Sequence, residues 1–542
     1  MNSTAPIRSR AADEGSFEIP LWGVPFILFL LYVCLFSGLG AIGLVGPDEP
    51  RYAAIARAMA ETHDWVTPRL WGKTWFEKPV LYYWMAGIAM RLFGVSEFAA
   101  RLPSALAALL AVAAIKWTAL RSYGLGAAWY SLLMLPTSVA MIGFSRAASP
   151  DMLFAGLLTA AMAVAVEILQ KPRPGPILRI AFGFFLGAAV LAKGPAAVIL
   201  AGGATLLWAG ITRQWLAPFR FLHPLIIAVF CATALPWYAL CALRNPDFLH
   251  VFVWQHNFER YLTPVFQHPQ PFWFYLPILV IASMPWTVMA MSIFSLKWDK
   301  SEYKDSPGIF IFCWTLFPFL FFSFSQSKLP GYILPAVPPA LLLISRAAGR
   351  LIELDHRRSA IWTGITGAVF ALTAAASAEK LGMNGVIYNV PSFRIINLLI
   401  LSGAGGLLTI MFGISKKPVP ALITLPMFMA TLVAVVVVGI LPPADAGISA
   451  RNLARESFLL NPSGDNVGVF GLTRDWNYGL NYYYGRELPE WTIGTPLPEW
   501  LFTSQIEANK LLQPGDLIRG ISNTDSHRVV LLHVSASGVK SR

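Results

Sequence analysis

Hydrophobic residues in this chain fall into long runs separated by short polar loops, and the runs set its architecture. The stretch 21–44, "INLLILSGAGGLLTIMFGI" at 396–414 and "ALITLPMFMATLVAVVVVGIL" from Ala421 are each long enough to cross a hydrocarbon core of about 30 Å as a helix. Windows of roughly 20 residues predict about thirteen such spans. They start near Leu21, Arg101, Leu125, Asp151, Ile177, Pro195, Phe221, Phe272, Gly308, Gly331, Ile361, Ile395 and Ala421. Residues 1–20 form a polar tail ahead of them, and no small-residue cleavage motif follows the first run, so that span is expected to be retained.

The loops alternate in charge. One set is short and basic: Lys116 and Arg121; Lys171, Arg173 and Arg179; Arg213 and Arg220; Lys297, Lys300 and Lys304; Arg346, Arg350, Arg357 and Arg358; Lys416 and Lys417. The positive-inside rule assigns these to the cytoplasm together with the 1–20 tail. The other set then faces outward, including the segments 45–98 and 243–271, and an odd span count puts the tail 442–542 outside as well. That tail has short alternating runs broken by glycine and proline, "NVGVFGLTRDWNYGLNYYYGRELPEW" among them, which predict a small α/β domain after the membrane region 21–441.

Composition agrees with the pattern. Of 542 residues, 56% are hydrophobic and 13% charged, too apolar for a soluble globular protein of this size, so the fold class is a polytopic α-helical membrane protein. The net charge of +12 is spread over short loops without a basic patch, which topology explains and nucleic-acid binding does not. Cys34, Cys231, Cys241 and Cys313 all lie in apolar segments with no CxxC spacing, so disulfides and thiolate zinc sites are not expected. "GLGAIG" at Gly38, Gly40 and Gly43 matches GxGxxG, but it falls within the predicted first span, where small residues serve helix packing rather than a dinucleotide.

The chemically unusual residues collect in the outer set. Asp48 and Glu49 sit between Pro47 and Pro50 at the start of a helical pattern, where negative charge is favoured, with Arg51 and Tyr52 behind them. Such a fixed acid suits proton handling or orientation of a polar substrate. Glu77 and Lys78 repeat the theme in "WFEKPVLYYW", whose aromatic residues fit both an interfacial belt and a stacking surface for a sugar. Arg146 and Asp151 form a further outer pair, while Lys193 and Lys328 each precede a proline at the outer end of a span. His256, Glu259 and Arg260 lie in the loop 243–271, and a metal there needs an acidic partner such as Glu77. Cations converging at a membrane surface match a phosphate headgroup, arginine as a fork and lysine as a point charge.

The motifs "GPDEPRYAAIARAM", "WFEKPVLYYW", "SEFAARLPSALAALL", "SPDMLFAG", "LAKGPAAV", "VWQHNFERY" and "SKLPGYILPAVPPALLL" occur in this order from about residue 21 to 345. In these the chain resembles the membrane-embedded C-type (GT-C) glycosyltransferases that use polyprenyl-phosphate sugars. It is most similar to the bacterial aminoarabinose (4-amino-4-deoxy-L-arabinose) transferases of lipid A, relatives of the protein O-mannosyltransferases.

The resemblance implies the same span count, membrane-lying helices in the first outer loop, and an inverting transfer at the periplasmic face of the inner membrane. Its partners would be an undecaprenyl-phosphate sugar donor, lipid A as acceptor, and membrane lipids, with no nucleotide cofactor. Carried onto this sequence, it makes Asp48 the principal catalytic residue, with Glu49 beside it and Asp151 in support. Lys78 and Arg260 hold the lipid phosphate, and Arg51, Tyr52, Lys193, Lys328 and Tyr332 line the same cavity. Glu77 and His256 match a pair that binds a divalent metal in the family. Two alternatives stay open: another envelope-glycan or protein O-mannosyltransferase, and a flippase for lipid-linked sugars. A flippase predicts related halves and polar residues at mid-membrane on broken helices. The sequence has no internal repeat, and its ionisable residues gather at one face.

Overall fold

The computed structural model describes residues 21–259, 270–291, 293, 307–383, 392–511 and 529–533. Among them seven helices are long and apolar enough to cross a membrane, or eight with the pair Leu125–Met134 and Val139–Ser145, which is bent by 60°. Four shorter apolar helices accompany them: Gly23–Phe36, Ala196–Thr212, Phe272–Ala282 and Ile400–Ile414.

The central pillar is Pro150–Gln170, apolar on every side and 94% buried over its membrane window. Ser149 starts it by accepting the Asp151 N–H, and Pro150 occupies the first turn, where its missing N–H costs nothing. The alanine-rich helix Glu97–Tyr123 packs on it so closely that a Cβ on Gly156 would lie 2.4 Å from the Ala107 carbonyl oxygen. Helix Pro176–Lys193 packs against the pillar as well.

Because its 21 residues rise about 30 Å, the pillar also separates two chemistries. At its C-terminal end the buried Glu167 pairs with Arg121 and Lys171, and Arg220 donates to the carbonyls of Ile168, Leu169 and Lys171. These are the cations assigned to the cytoplasm. Asp151 stands at the opposite end.

The first span is shorter than the apolar run that predicts it. Helix Gly23–Leu31 passes into a π-helical turn, Tyr32–Phe36, and residues 37–47 leave the helix altogether. "GLGAIG" is therefore a loop and not a helix-packing stripe. Gly38 has φ +71°, and a Cβ on Gly43 would lie 2.3 Å from the Ser449 hydroxyl. The loop forms because side chains claim its backbone: Arg101 takes the carbonyls of Leu39, Ile42 and Gly43, and Arg451 takes those of Gly40 and Ala41.

Helices Asp48–Thr62 and Leu81–Phe93 follow, joined through a short antiparallel pair, Arg69–Leu70 with Lys73–Thr74. Leu81–Phe93 buries Tyr82, Tyr83, Ala86 and Met90 while exposing Ile88, Leu92 and Phe93, as a helix lying on an apolar surface does. Beyond the last span the chain folds into a small α/β unit. Among the described residues its sheet pairs Val467–Phe470 parallel to Trp500–Ser504, which pairs antiparallel to Val529–His533.

Candidate active site

Asp48 opens its helix, with Pro47 as the preceding cap, so its charge sits in the favourable first turn. One carboxylate oxygen takes a 2.5 Å bond from Arg51 one turn on. The side chain is 57% exposed, and its second oxygen has no protein partner among the described residues.

Arg51 is buried and carries the cluster. It donates to Glu77 at 2.9 Å and lies over the rings of Tyr52 and Trp75, 5.0 and 5.5 Å from their centres. Burial opposes its charge, but Tyr52, Glu77 and Asp48 more than restore it, so the guanidinium stays protonated. Lys78 approaches the other oxygen of Glu77 at 3.5 Å. The Tyr83 hydroxyl, driven up first by burial and then by Glu77, stays protonated and able to donate. Among the described residues, three buried donors in this neighbourhood lack hydrogen-bond partners: Arg51 Nε, Trp75 Nε1 and the Tyr83 hydroxyl. A donor buried without an acceptor costs about 1–3 kcal/mol, so these three groups are placed to receive one.

Glu49 does different work. Its carboxylate is 12% exposed and takes four donors: the Val45 N–H at 2.8 Å, the Ala148 N–H at 2.7 Å, and two from Arg101 at 2.7 and 3.1 Å. A carboxylate so saturated positions the chain around it. It ties the Asp48 turn to residue 148, three residues before Asp151. Arg101 is the functional residue that sequence reasoning missed. It lies where a span was expected to start, and nothing in its immediate neighbourhood marks it as the partner of Glu49.

The second cluster centres on Asp151, which forms a very short ion pair with Lys193. Lys193 also stands over Tyr332, 4.8 Å from the ring centre, and over Phe154 at 5.5 Å. Gly331 makes room for this group, since a Cβ there would lie 3.2 Å from Asp151 and 3.1 Å from Phe144. Arg146, expected to pair with Asp151, turns away from it. It caps the end of the first span by donating to the carbonyls of Val33 and Cys34 and to the Ser37 hydroxyl.

Lys328 is buried and donates to the carbonyls of Gln270 and Ser325 at 3.0 and 2.6 Å, with its pKa pushed down by burial. Next to Gly331 and Phe144 runs an apolar groove of about 320 Å³, lined by Gly143, Phe144, Ile278, Ile281, Ile333 and Leu334 among others.

Two expected site residues fall outside this description. Arg260 lies outside the described residues, as does the His256 side chain, whose backbone belongs to the π-helical turn His250–Glu259. Glu77, the other expected metal ligand, already shares its two oxygens between Arg51 and Lys78.

The fold resembles that of ArnT from Cupriavidus metallidurans bound to undecaprenyl phosphate, with a TM-score of 0.76 over 96% of this chain and 99% of that one, at 24% identity. The fold is that of the membrane-embedded GT-C type. The family profile described as dolichyl-phosphate-mannose-protein mannosyltransferase matches residues 23–252.

Among curated relatives, the undecaprenyl phosphate-alpha-4-amino-4-deoxy-L-arabinose arabinosyl transferase of Edwardsiella ictaluri is 33% identical over 62% of this chain and 60% of its own length. Transferase 1 of that name from Sodalis glossinidius is 30% identical over 90% of this chain and 93% of its own. The chain belongs to the undecaprenyl phosphate-aminoarabinose arabinosyl transferase family.

Proposed function

We propose that the protein transfers 4-amino-4-deoxy-L-arabinose from undecaprenyl phosphate to a phosphate of lipid A at the outer face of the bacterial inner membrane. The observation that carries this reading is the open carboxylate of Asp48 set among cations at the outer ends of the spans. Membership of the transferase family sets the flippase alternative aside and names the donor class. The chain spans 60% of the first relative's length and 93% of the Sodalis one.

In the reaction the acceptor oxygen bonds to C1 of the sugar while the bond from C1 to the phosphate oxygen breaks on the opposite face, inverting that carbon. The electron pair leaves with undecaprenyl phosphate. Arg51, Lys78 and Arg260, with Lys193 and Lys328, stabilise the charge developing there, typically the largest catalytic contribution. Tyr52 backs Arg51 and Tyr332 backs Lys193 through ring contacts, and the apolar groove beside Phe144 suits an isoprenoid chain. A lipid A phosphate is already anionic, so Asp48 orients the reacting groups with no need to take a proton, and Asp151 supports the second cation cluster. Glu49 is a positioning residue, and the reaction needs no nucleotide.

A hydroxyl acceptor is the second reading, favoured by the mannosyltransferase profile. Asp48 would then accept the hydroxyl proton. Mass spectrometry of lipid A from cells with and without the gene separates the two. Gain of one aminopentose on a lipid A phosphate supports the proposal. Unchanged lipid A alongside altered glycoprotein or polysaccharide overturns it in favour of the second reading.

A further inference from the structure

The loop 39–45 leads from the first span to Asp48, and side chains from two distant parts of the chain take up most of its backbone. Arg101 holds the carbonyls of Leu39, Ile42 and Gly43 at 2.8, 2.8 and 2.7 Å. From the C-terminal side, Asp445 accepts the Gly43 N–H at 2.7 Å and the Tyr483 hydroxyl accepts the Leu44 N–H at 3.1 Å. Arg451 donates to the carbonyls of Gly40 and Ala41 at 3.0 and 2.9 Å.

These three residues are themselves fixed. Arg451 pairs with Asp445 at 2.6 Å, the Ser449 hydroxyl donates to Asp445 at 2.6 Å, and the Tyr483 hydroxyl donates to Glu97 at 2.8 Å. Asp445 is 1% exposed, and its carboxylate takes donors from Gly43, Ser449 and Arg451. A β-bridge from Val45 to Ser449 completes the grip. Beyond Val45, whose N–H is held by Glu49, only Gly46 and Pro47 intervene before Asp48.

A domain merely docked to the membrane region has no need to converge on one loop. The exposed Lys73–Glu487 ion pair and the Trp71–Tyr478 ring contact already join the two parts elsewhere. We propose that the C-terminal domain, together with the end of the last span Pro418–Ile448 that leads into it, is a working part of the active site, in which Asp445 from that span and Arg451 and Tyr483 from the domain are positioning residues that clamp the loop and set Asp48. The inference rests on the transferase reading only in giving Asp48 its role. Misplacing a reacting group by about 1 Å costs on the order of a hundredfold in rate, so a loosened clamp should act on kcat.

The test uses the full-length protein in detergent with undecaprenyl-phosphate aminoarabinose and lipid A, comparing Tyr483→Phe, Asp445→Asn and Lys73→Ala. The first two are expected to lower kcat by about tenfold or more while leaving the donor KM within about twofold, and Lys73→Ala to change neither. Wild-type kcat in both clamp variants, an effect on KM alone, or an equal loss in Lys73→Ala overturns the inference. Should both clamp variants fail to accumulate, Arg451→Lys carries the same test, since lysine keeps the ion pair without the two-carbonyl fork.

A second readout does not depend on turnover: the rate at which a maleimide labels Asp48→Cys, with Tyr483 intact or replaced by Phe. A several-fold change supports the clamp, and equal rates overturn it. An inactive wild type would contradict the transferase reading while this second readout still decides the clamp.

Discussion

Adjacent along the chain, Asp48 and Glu49 are set to different tasks by their partners. Asp48 keeps an open oxygen, whereas Glu49 is consumed by four donors. Breaking the buried Glu49–Arg101 pair from the arginine side is therefore expected to cost about 3–5 kcal/mol, read as a lower thermal midpoint for Arg101→Ala in detergent. Asp48→Asn, at an exposed position, should fall within about 0.5 kcal/mol of wild type in the same assay. An equal loss in the two variants would contradict this division of labour.

Lys328 adds a pH signature. Burial lowers its pKa from the ordinary lysine value of 10.5, so the folded protein gives up this proton before the unfolded chain does. Stability consequently rises as pH climbs through the folded value towards the unfolded one, while the charge available to a phosphate is lost over the same window. The donor KM should rise on the alkaline side below pH 10.5 without loss of thermal stability, and Lys328→Arg should move that rise to higher pH. A flat alkaline KM would remove Lys328 from phosphate binding. The proline-bracketed acids and isolated lysines were legible because fixed charge is conspicuous in an apolar chain. Their partners were not, since Arg101 lies 52 residues from Glu49 and looks like an ordinary interfacial cation.

At the scale of elements, spacing between backbones decides stability. Gly156→Ala would press a methyl into the Ala107 carbonyl and is expected to cost about 1–3 kcal/mol, seen as a lower thermal midpoint. Gly202→Ala, in a helix where a Cβ would meet nothing within 4 Å, should be neutral in the same measurement. If the two behave alike, the close approach of the pillar to helix Glu97–Tyr123 is wrong.

Span positions were readable because apolar runs and prolines mark them: the run expected near Asp151 is the helix Pro150–Gln170, and the one near Gly331 lies within Pro330–Leu354. The end of the first span was not, because glycines in an apolar run suit a helix interface and a gripped loop equally. What decides between them is Asp445 and Tyr483, some 400 residues away.

For the whole molecule, the two ends of the pillar define two faces. Membrane-impermeant maleimide applied from the periplasm should label Asp48→Cys and Leu459→Cys and spare Leu216→Cys, the last two positions both being 82% exposed. Labelling of Leu216→Cys ahead of Asp48→Cys would reverse the topology. Segments far apart in sequence are joined by ion pairs such as Asp151–Lys193 and Arg51–Glu77, which no local pattern in the chain announces.

The most direct test is turnover by purified protein in liposomes containing undecaprenyl-phosphate aminoarabinose and lipid A, with Asp48→Asn inserted at the same level. Wild type should release undecaprenyl phosphate as lipid A gains the sugar, and Asp48→Asn, which loses the charge that orients the reacting groups, should be slower by about a hundredfold or more. Near-normal transfer by Asp48→Asn would contradict the account.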